Sequence, residues 1–296
     1  MTNRRDFLKQ ASMLVAGGVA GSSILSACGG GSASKTPKKH IGLQLYSLRD
    51  DVKELDDIKK VLEIVAKMGY VNLETADYNN GRFYGLDPVD FKKIVNDLGM
   101  RATSSHVSRA LSDNREEDMA WWSKATEAHA AAGMKYMVMP WSPLGEEGVT
   151  IDDVKRYGKY FNDIGYITAS ASIAFGYHNH DFEFKSKIDN VPVYDLLIEN
   201  TSPRHVFFQN DVYWTQVGGY NPVDYLKKYA DRIRTLHIKD VKAIGVSGTM
   251  DFEAIFRQAY EIGVKDWYVE VEEYYGTPQE DVKKSYDFLA AADYVK

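Results

Sequence analysis

Cysteine is nearly absent from this chain of 296 residues, in which Cys28 is the single example. One cysteine cannot close a disulfide within the chain, so the folded protein must draw its stability from a packed core, even in an oxidising compartment. The stretch from His40 to Lys296 is long enough to form one large domain with such a core.

An excess of positive charge is also missing. The chain has 36 Lys and Arg against 42 Asp and Glu, for a formal net charge of -6. Removing residues 1–27 would remove Arg4, Arg5, Lys9 and Asp6, a net charge of +2, and would move the total from -6 to -8. Because nucleic-acid binding requires clustered Lys and Arg, this composition argues against a nucleic-acid partner.

Long apolar runs are scarce as well. The run from Ala11 to Leu25 is too short and too rich in Gly and Ala for a stable transmembrane helix, and no second run could span a membrane. The run follows Arg4, Arg5 and Lys9, and this combination predicts a twin-arginine export signal.

The residues after that run, Leu25-Ser26-Ala27-Cys28, resemble a lipoprotein processing site. Cleavage before Cys28 would place a lipid-bearing cysteine at the new N-terminus; the alternative is an ordinary signal peptide with a chance cysteine. We predict a signal peptide over 1–27, a Gly/Ser-rich flexible tether over 28–39 and a folded domain over 40–296. The expected location is the periplasm or the outer membrane, with the membrane contacted only through the lipidated N-terminus.

From Ile41 onward, apolar β-branched or aromatic runs alternate with amphipathic helical stretches. Gly69, Gly99, Gly133 and Gly263 each follow a helical stretch and precede a strand, which is the position where glycine ends a helix with positive φ. Eight such units predict an α/β fold, a single-domain (β/α)8 TIM barrel. An open doubly wound sheet is the alternative, but no Gly-x-Gly-x-x-Gly motif follows the first strand. The predicted strands are Ile41–Tyr46, Val71–Thr75, Ala102–Val107, Tyr136–Pro140, Ile173–His178, Val206–Asp211, Ile233–Lys239 and Trp267–Glu272.

Polar side chains stand at the ends of these strands, where TIM barrels place their active sites. Charged and imidazole groups are poor structural linings, so their convergence on one rim indicates a functional site. Side chains two residues apart on a strand share a face. By this alternation argument, four pairs should point at the barrel axis: His178 with His180, Gln209 with Asp211, His237 with Lys239, and Glu270 with Glu272. The strand-end residues are Gln44, Glu74, His106, Trp141, His178, His180, Asp211, His237, Lys239, Glu270 and Glu272.

A metal site is the first hypothesis for this rim. Asp211, His237 and Glu270 end three successive strands and can meet at one divalent cation, with His178 of the fifth strand as a fourth ligand. The mixed oxygen and nitrogen donors suit Mn, Mg, Co or Zn. The alternative is a hydrogen-bonded polar cluster without metal.

Aromatic residues also lie in or near the loops that follow the strands. Tyr46, Phe83, Tyr84, Trp141 and Trp214 could stack against the faces of a carbohydrate. The alternative is that these rings anchor the loops.

With these residues in view, the chain resembles the xylose isomerase-like TIM barrels, often called sugar phosphate isomerases/epimerases. The resemblance covers the domain from Ile41 to the C-terminus. It rests on Ile41–Arg49, Val71–Thr75, Tyr177–Phe184, Asn210–Trp214, His237–Asp240 and Tyr268–Glu272.

The resemblance implies a divalent metal held by a Glu, an Asp, a His and a Glu from strands five to eight. The last three correspond to Asp211, His237 and Glu270, whereas His178 stands where many members have the first Glu. The pair of glutamates that exchanges the substrate proton in epimerases of the family is therefore incomplete, and His178 becomes either a ligand or a base. The Tyr-His-x-His pattern over 177–180 also resembles inosose dehydratases.

The implied chemistry is proton abstraction from a carbon next to a carbonyl, with Glu270, His178, His180 and Lys239 as candidate catalytic residues. Reprotonation would make the enzyme an isomerase or epimerase, and loss of a group from the β-carbon would make it a lyase. Since an exported enzyme meets unphosphorylated sugars, we expect a keto-sugar substrate, and a 3-keto-glycoside would suit the lyase. The candidate substrate-binding residues are Gln44, Glu74, His106, Asn179, Trp214 and Glu272, although His106 could be a simple strand-end histidine.

Two other classes compete with this enzyme. One is a non-catalytic sugar-binding lipoprotein that retained the barrel. The other is the endonuclease IV branch of the same fold, against which the acidic charge and the limited set of metal ligands argue. The expected partner is a small-molecule carbohydrate, and a homo-oligomer is compatible with the sequence.

Overall fold

The computed structural model describes residues 39–55 and 58–296. The predicted export signal, Cys28 and nearly all of the predicted tether lie outside the described residues. Lys39–Lys296 form one compact unit. Within the described part of the chain, no helix is both long and apolar enough to cross a membrane.

Eight parallel strands close into a barrel, which confirms the predicted TIM-barrel fold. Around the barrel the order is β1-β8-β7-β6-β5-β4-β3-β2, so neighbours in the chain are neighbours in the sheet. The strands are β1 (Gly42–Gln44), β2 (Asn72–Thr75), β3 (Arg101–His106), β4 (Tyr136–Met139), β5 (Ala174–His178), β6 (Val206–Asp211), β7 (Ile233–Lys239) and β8 (Asp266–Glu270).

Helices surround the barrel and connect its strands. Short 3-10 helices span Leu45–Leu48 and Pro143–Gly145, and hairpins pair Tyr78–Asn79 with Arg82–Phe83 and Lys187–Ile188 with Val191–Pro192. The α-helices are α1 (Arg49–Leu55), α2 (Ile58–Met68), α3 (Pro88–Asp97), α4 (Arg115–Ala132), α5 (Ile151–Ala169), α6 (Phe182–Lys185), α7 (Val193–Glu199), α8 (Val212–Val217), α9 (Pro222–Lys228), α10 (Phe252–Glu261) and α11 (Pro278–Ala291).

The predicted glycine caps are present. Gly133 follows α4 with φ of 79°, and its N–H donates to the carbonyl of Ala130 at 2.9 Å. Gly69, Gly99 and Gly263 also have positive φ. These glycines end helices shortly before β2, β3, β4 and β8, because a residue without a Cβ adopts the left-handed conformation cheaply.

Two predicted strands extend two residues too far, and two others extend one residue too far, to Val107 and Pro140. β1 ends at Gln44 instead of Tyr46, because the Gln44 side chain accepts a hydrogen bond from the Tyr46 backbone N–H and starts a 3-10 helix. β8 ends at Glu270, two residues before the predicted end. His180 likewise follows the end of β5. Because His180 and Glu272 both lie beyond the ends of their strands, the alternation of side chains along a strand does not determine where they point.

A buried tyrosine supports the site from within the barrel. Tyr268 lies two residues before Glu270 on β8, and its hydroxyl is 2.8 Å from Oγ1 of Thr103. The ring fits because β1 has Gly42 beside it, where a Cβ would lie 2.7 Å from Cδ1 of Tyr268. The His237 ring lies next to Tyr268, with 6.4 Å between centroids, so a filled barrel core supports the residues above it.

Candidate active site

Four buried side chains at the C-terminal ends of β5 to β8 form the centre of the site. His178, Asp211, His237 and Glu270 each offer a ligand atom, and these four atoms lie within 4.8 Å of one another. This is the set that the sequence predicts as metal ligands, and the barrel brings all of it together.

Asp211 shows most directly that a cation fits here. Its Oδ1 accepts a hydrogen bond from the Trp214 N–H at 2.8 Å, at the start of α8. Its Oδ2 is buried and has no hydrogen-bond partner among the described residues. Burial raises the pKa of Asp211 to about 7, because a charged oxygen without a partner is costly. A divalent cation would supply the missing partner.

His237 has two different environments on its two ring nitrogens. Nε2 lies 2.5 Å from Oε1 of Glu74, whereas Nδ1 lies 3.1 Å from Oε2 of Glu270 and 4.0 Å from Oδ2 of Asp211. Burial alone would lower the pKa of His237, but Glu270 and Glu74 raise it to about 10. The Nδ1 atom faces the other candidate ligands, and Nε2 contacts Glu74 on the opposite side of the ring.

His178 is suited to be a ligand in its neutral form. Burial, together with His237 and His106, lowers the pKa of His178 well below its usual range. Its Nδ1 lies 3.1 Å from Oε1 of Gln209, an acceptor that fixes the proton on Nδ1 and leaves the lone pair on Nε2. The prediction left open whether His178 is a ligand or a base, and this geometry favours the ligand.

Glu74 is the hub of a buried network beneath these residues. It accepts hydrogen bonds from Gln44 Nε2 at 3.0 Å, Ser104 Oγ at 2.7 Å and Gln209 Nε2 at 2.8 Å. Burial would raise the pKa of Glu74, but His106 and His237 lower it to about 2, so the carboxylate is charged. Gln44 and Glu74 are bound to side chains of the protein, and their predicted contact with substrate stays a prediction.

Lys239 lies at the edge of the cluster, between two carboxylates. Its ammonium group is 3.3 Å from Oε2 of Glu270 and also contacts Glu272, and it lies over the Trp214 ring at 4.9 Å. Burial would lower the pKa of Lys239, but Glu270, Asp211 and Glu272 raise it to about 12. Glu270 is affected in return: burial would raise its pKa, but Lys239 and His237 hold it well below its usual range. Lys239 is therefore a fixed positive charge near neutral pH.

A cavity of about 280 Å³ opens above the cluster. His180 faces it from the loop after β5, although the alternation argument did not apply there. The Nδ1 atom of His180 is buried without a partner among the described residues, and burial lowers the pKa of His180 to about 4. The lining residues are Tyr46, Ala76, His106, Ser108, Pro140, Trp141, His178, His180, Glu270 and Glu272.

Asn179 and His106, both predicted to bind substrate, differ in whether they line the cavity. Asn179 is buried behind the cluster, where its Oδ1 accepts from the Asp211 N–H at 3.1 Å and ties β5 to β6. His106 lines the cavity, and its Nε2 lies 2.9 Å from Oε1 of Gln209. Of the two, only His106 lines the cavity.

Sequence reasoning missed Glu183. Its Oε2 accepts from the His180 N–H at 2.8 Å, and its Oε1 accepts from the Tyr177 hydroxyl at 2.5 Å. The hydroxyl of Tyr177 also lies 2.9 Å from Oγ of Ser142, in the loop after β4. Glu183 thus holds the backbone that carries His180, yet neither its spacing nor its position past the strand marks it as a site residue.

Comparisons with known proteins agree with this fold. The family model for xylose isomerase-like TIM barrels matches residues 62–292. Two structures of a sugar phosphate isomerase/epimerase from Parabacteroides distasonis are 38% and 37% identical, with TM-scores of 0.79 and 0.80. They cover 89% and 87% of this chain and 100% of their own. An inosose dehydratase from Geobacillus kaustophilus is 25% identical over 263 residues, which cover 75% of this chain and 83% of the relative.

Proposed function

Because the chain belongs to the xylose isomerase-like TIM barrel family, we propose that it is a metal-dependent carbohydrate enzyme of the isomerase/epimerase type. It removes a proton from a carbon next to a carbonyl on an unphosphorylated keto-sugar. The observation that carries the proposal is the buried set of His178, Asp211, His237 and Glu270, whose ligand atoms lie within 4.8 Å of one another.

These four residues would hold one divalent cation, Mn, Mg, Co or Zn. When bound, such a cation supplies Lewis-acid polarisation of a substrate carbonyl or hydroxyl oxygen. The unpartnered Oδ2 of Asp211 and the Nδ1 atom of His237 that faces it support this assignment.

Proton movement falls to residues that face the cavity. His180 lines the cavity, and burial lowers its pKa to about 4, so its imidazole is neutral near pH 7 and can accept a proton from a substrate carbon. Lys239 lies outside the cavity lining, and its fixed ammonium group would act through Glu270 and Glu272 by holding these two carboxylates in place. Because Glu270 is bound to Lys239 and faces His237, we place it with the ligands and assign His180 as the leading base.

Elimination is the second candidate for the same site, and the residue at position 178 favours it. With His178 in place of the family's Glu, the two-carboxylate pair of an epimerase is incomplete. The similarity to the inosose dehydratase from Geobacillus kaustophilus also supports an elimination. On a 3-keto-glycoside, a base would take the C2 proton, the C–H electron pair would form the C1=C2 double bond, and the C1–O bond would break. The aglycone would leave as an alcohol after taking up a proton.

The charges of the site support an unphosphorylated substrate. Glu270 and Glu272 line the cavity, and no Lys or Arg does so among the described residues. Lys239, the nearby cation, is already paired with both carboxylates. A phosphate group would therefore find no unpaired cationic side chain among the described residues that line the cavity.

Export and lipidation at Cys28 remain part of the proposal, since they place the enzyme where free sugars and glycosides are found. The partner would be a small carbohydrate, with neither nucleic acid nor a membrane-spanning segment involved. The acidic composition argues against a nucleic-acid partner.

The test combines metal analysis with turnover. Purified protein should contain about one divalent ion per chain, and the loaded protein should convert 3-keto-glucosides, with released aglycone indicating the lyase and a rearranged keto-sugar the isomerase. Asp211→Asn should lose both the metal and the turnover while keeping the fold. Sugar binding without any turnover by the loaded protein would overturn the proposal in favour of a non-catalytic binding protein.

A further inference from the structure

Four of the five aromatic residues near the strand-to-helix loops divide into two groups. Phe83 is fully buried and stacks on Phe91 at 5.5 Å, and the Tyr84 hydroxyl accepts a hydrogen bond from the Ala76 N–H at 3.0 Å. These two anchor their loop. Tyr46 and Trp141 differ, because their side chains are 43% and 49% exposed.

Tyr46 and Trp141 both line the cavity that contains His178 and Glu270. They follow β1 and β4, which are three strands apart around the barrel. Within the ranges 39–55 and 58–296, neither ring packs against another aromatic ring, in contrast to most large aromatic residues of the barrel. Both exposed rings therefore line the same cavity as the polar side chains of the cluster.

Tyr46 is also held in a fixed position. The guanidinium of Arg49 lies 4.6 Å from its ring centroid. That guanidinium donates to the Glu272 carbonyl at 2.7 Å and to the Tyr274 hydroxyl at 2.8 Å, so it cannot move away easily. One face of Tyr46 is thereby covered and its orientation set, which lowers the entropy lost when a ligand stacks on the ring.

The loop that carries Trp141 is anchored as well. The next residue, Ser142, is buried, and its Oγ lies 2.9 Å from the hydroxyl of Tyr177 on β5. The backbone beside Trp141 is therefore tied to the strand that carries His178. A large exposed aromatic side chain on an anchored loop at a cavity is typical of a ligand contact.

We propose that Tyr46 and Trp141 form a subsite at the cavity opening that stacks a second ring, covalently attached to the reacting sugar. The preferred substrate is then a glycoside with a sugar or aryl aglycone, not a free monosaccharide. The proposal rests on the proposed function for the inner ring, which the polar groups His106, His178 and Glu270 would contact. Both kinds of second ring share the required chemistry, a flat apolar face.

Binding to the metal-loaded protein tests the subsite without requiring turnover. The probes are glucose, both anomers of methyl glucoside, and two-ring compounds: both anomers of 4-nitrophenyl glucoside, cellobiose and maltose. Calorimetry should show tighter binding of at least one two-ring probe. Trp141→Ala and Tyr46→Ala should each weaken that probe by about two- to tenfold, the range expected for one aromatic contact, and leave the one-ring probes unchanged.

Tyr166→Ala is the matched control, because Tyr166 is 73% exposed on α5 and lies outside the cavity lining. Equal binding of one-ring and two-ring probes, equal loss for both in the variants, or no binding at all would overturn the subsite. The nitrophenyl compounds and the disaccharides distinguish an aryl from a sugar aglycone. The wild type could prefer two-ring probes, and Trp141→Ala could lose that preference, while keto-sugars are not turned over. This result would refute the proposed reaction and support the subsite.

Discussion

Nε2 of His237 lies 2.5 Å from Oε1 of Glu74, across the barrel from β7 to β2. A histidine that binds a metal through one nitrogen commonly donates the proton of the other to a carboxylate, which sets the ring orientation and increases the basicity of the ligand. Here that arrangement directs Nδ1 toward Asp211 and Glu270. Glu74 is thus better explained as the support of a ligand than as a group that contacts substrate.

Replacement of Glu74 by Gln should therefore weaken metal binding although Glu74 is not a ligand. We expect a loss of about 10- to 100-fold in metal affinity, since an amide cannot polarise the His237 ring as a carboxylate does. The measurement is a metal titration at constant pH, with circular dichroism to verify the fold. Glu63→Gln, on the exposed face of α2, serves as the control. An unchanged metal affinity in a folded Glu74→Gln protein would contradict this role.

Local patterns explain why much of the fold could be predicted. Gly133 and the other glycine caps, together with the apolar runs, are properties of short segments, and they determine where helices end and strands begin. The ends of β6 and β7 follow from the same patterns, so Asp211 and His237 were placed correctly at the barrel rim.

Contacts across the barrel could not be predicted in this way. The partners of Glu74 come from four other strands, and a register irregularity between Leu73 and Glu74 affects its pairing with β3. The alternation rule also did not apply to His180, because β5 ends two residues earlier. What places His180 is a hydrogen bond from its N–H to Glu183, a local contact set by the conformation of the loop rather than by a strand pattern.

Glu183 should make the stability of the protein fall as pH rises. Its side chain is fully buried, and burial raises its pKa to about 7, whereas glutamate in an unfolded chain has a pKa of about 4.3. Between these values the folded protein keeps a proton that the unfolded chain has lost. The stabilisation is therefore complete below the unfolded pKa and is lost as pH rises through about 7, a change of roughly 3 kcal/mol.

Glu183→Gln isolates this contribution, because the neutral amide resembles the protonated acid and can still accept from the His180 N–H. Urea unfolding from pH 4.5 to 8, at constant metal concentration, should show the variant gaining stability relative to the wild type by about 3 kcal/mol across that range. Parallel pH dependences for the two proteins would show that Glu183 is charged throughout, contrary to the expectation.

Gly165 should not tolerate even a methyl group, although it lies inside a helix. Alanine in a helix interior is normally favoured over glycine by about 1 kcal/mol. A Cβ at Gly165 of α5 would lie 2.0 Å from the carbonyl oxygen of His205, a backbone atom that cannot rotate away, just before β6 begins at Val206. We therefore expect Gly165→Ala to destabilise the protein by about 2 kcal/mol, against the helix preference. Thermal unfolding should show a loss of about 4 to 8 °C, whereas Lys155→Ala on the exposed face of the same helix should change little. A Gly165→Ala protein as stable as the wild type would mean that α5 can move away from the start of β6, and the metal affinity of Asp211 at the other end of that strand should then change.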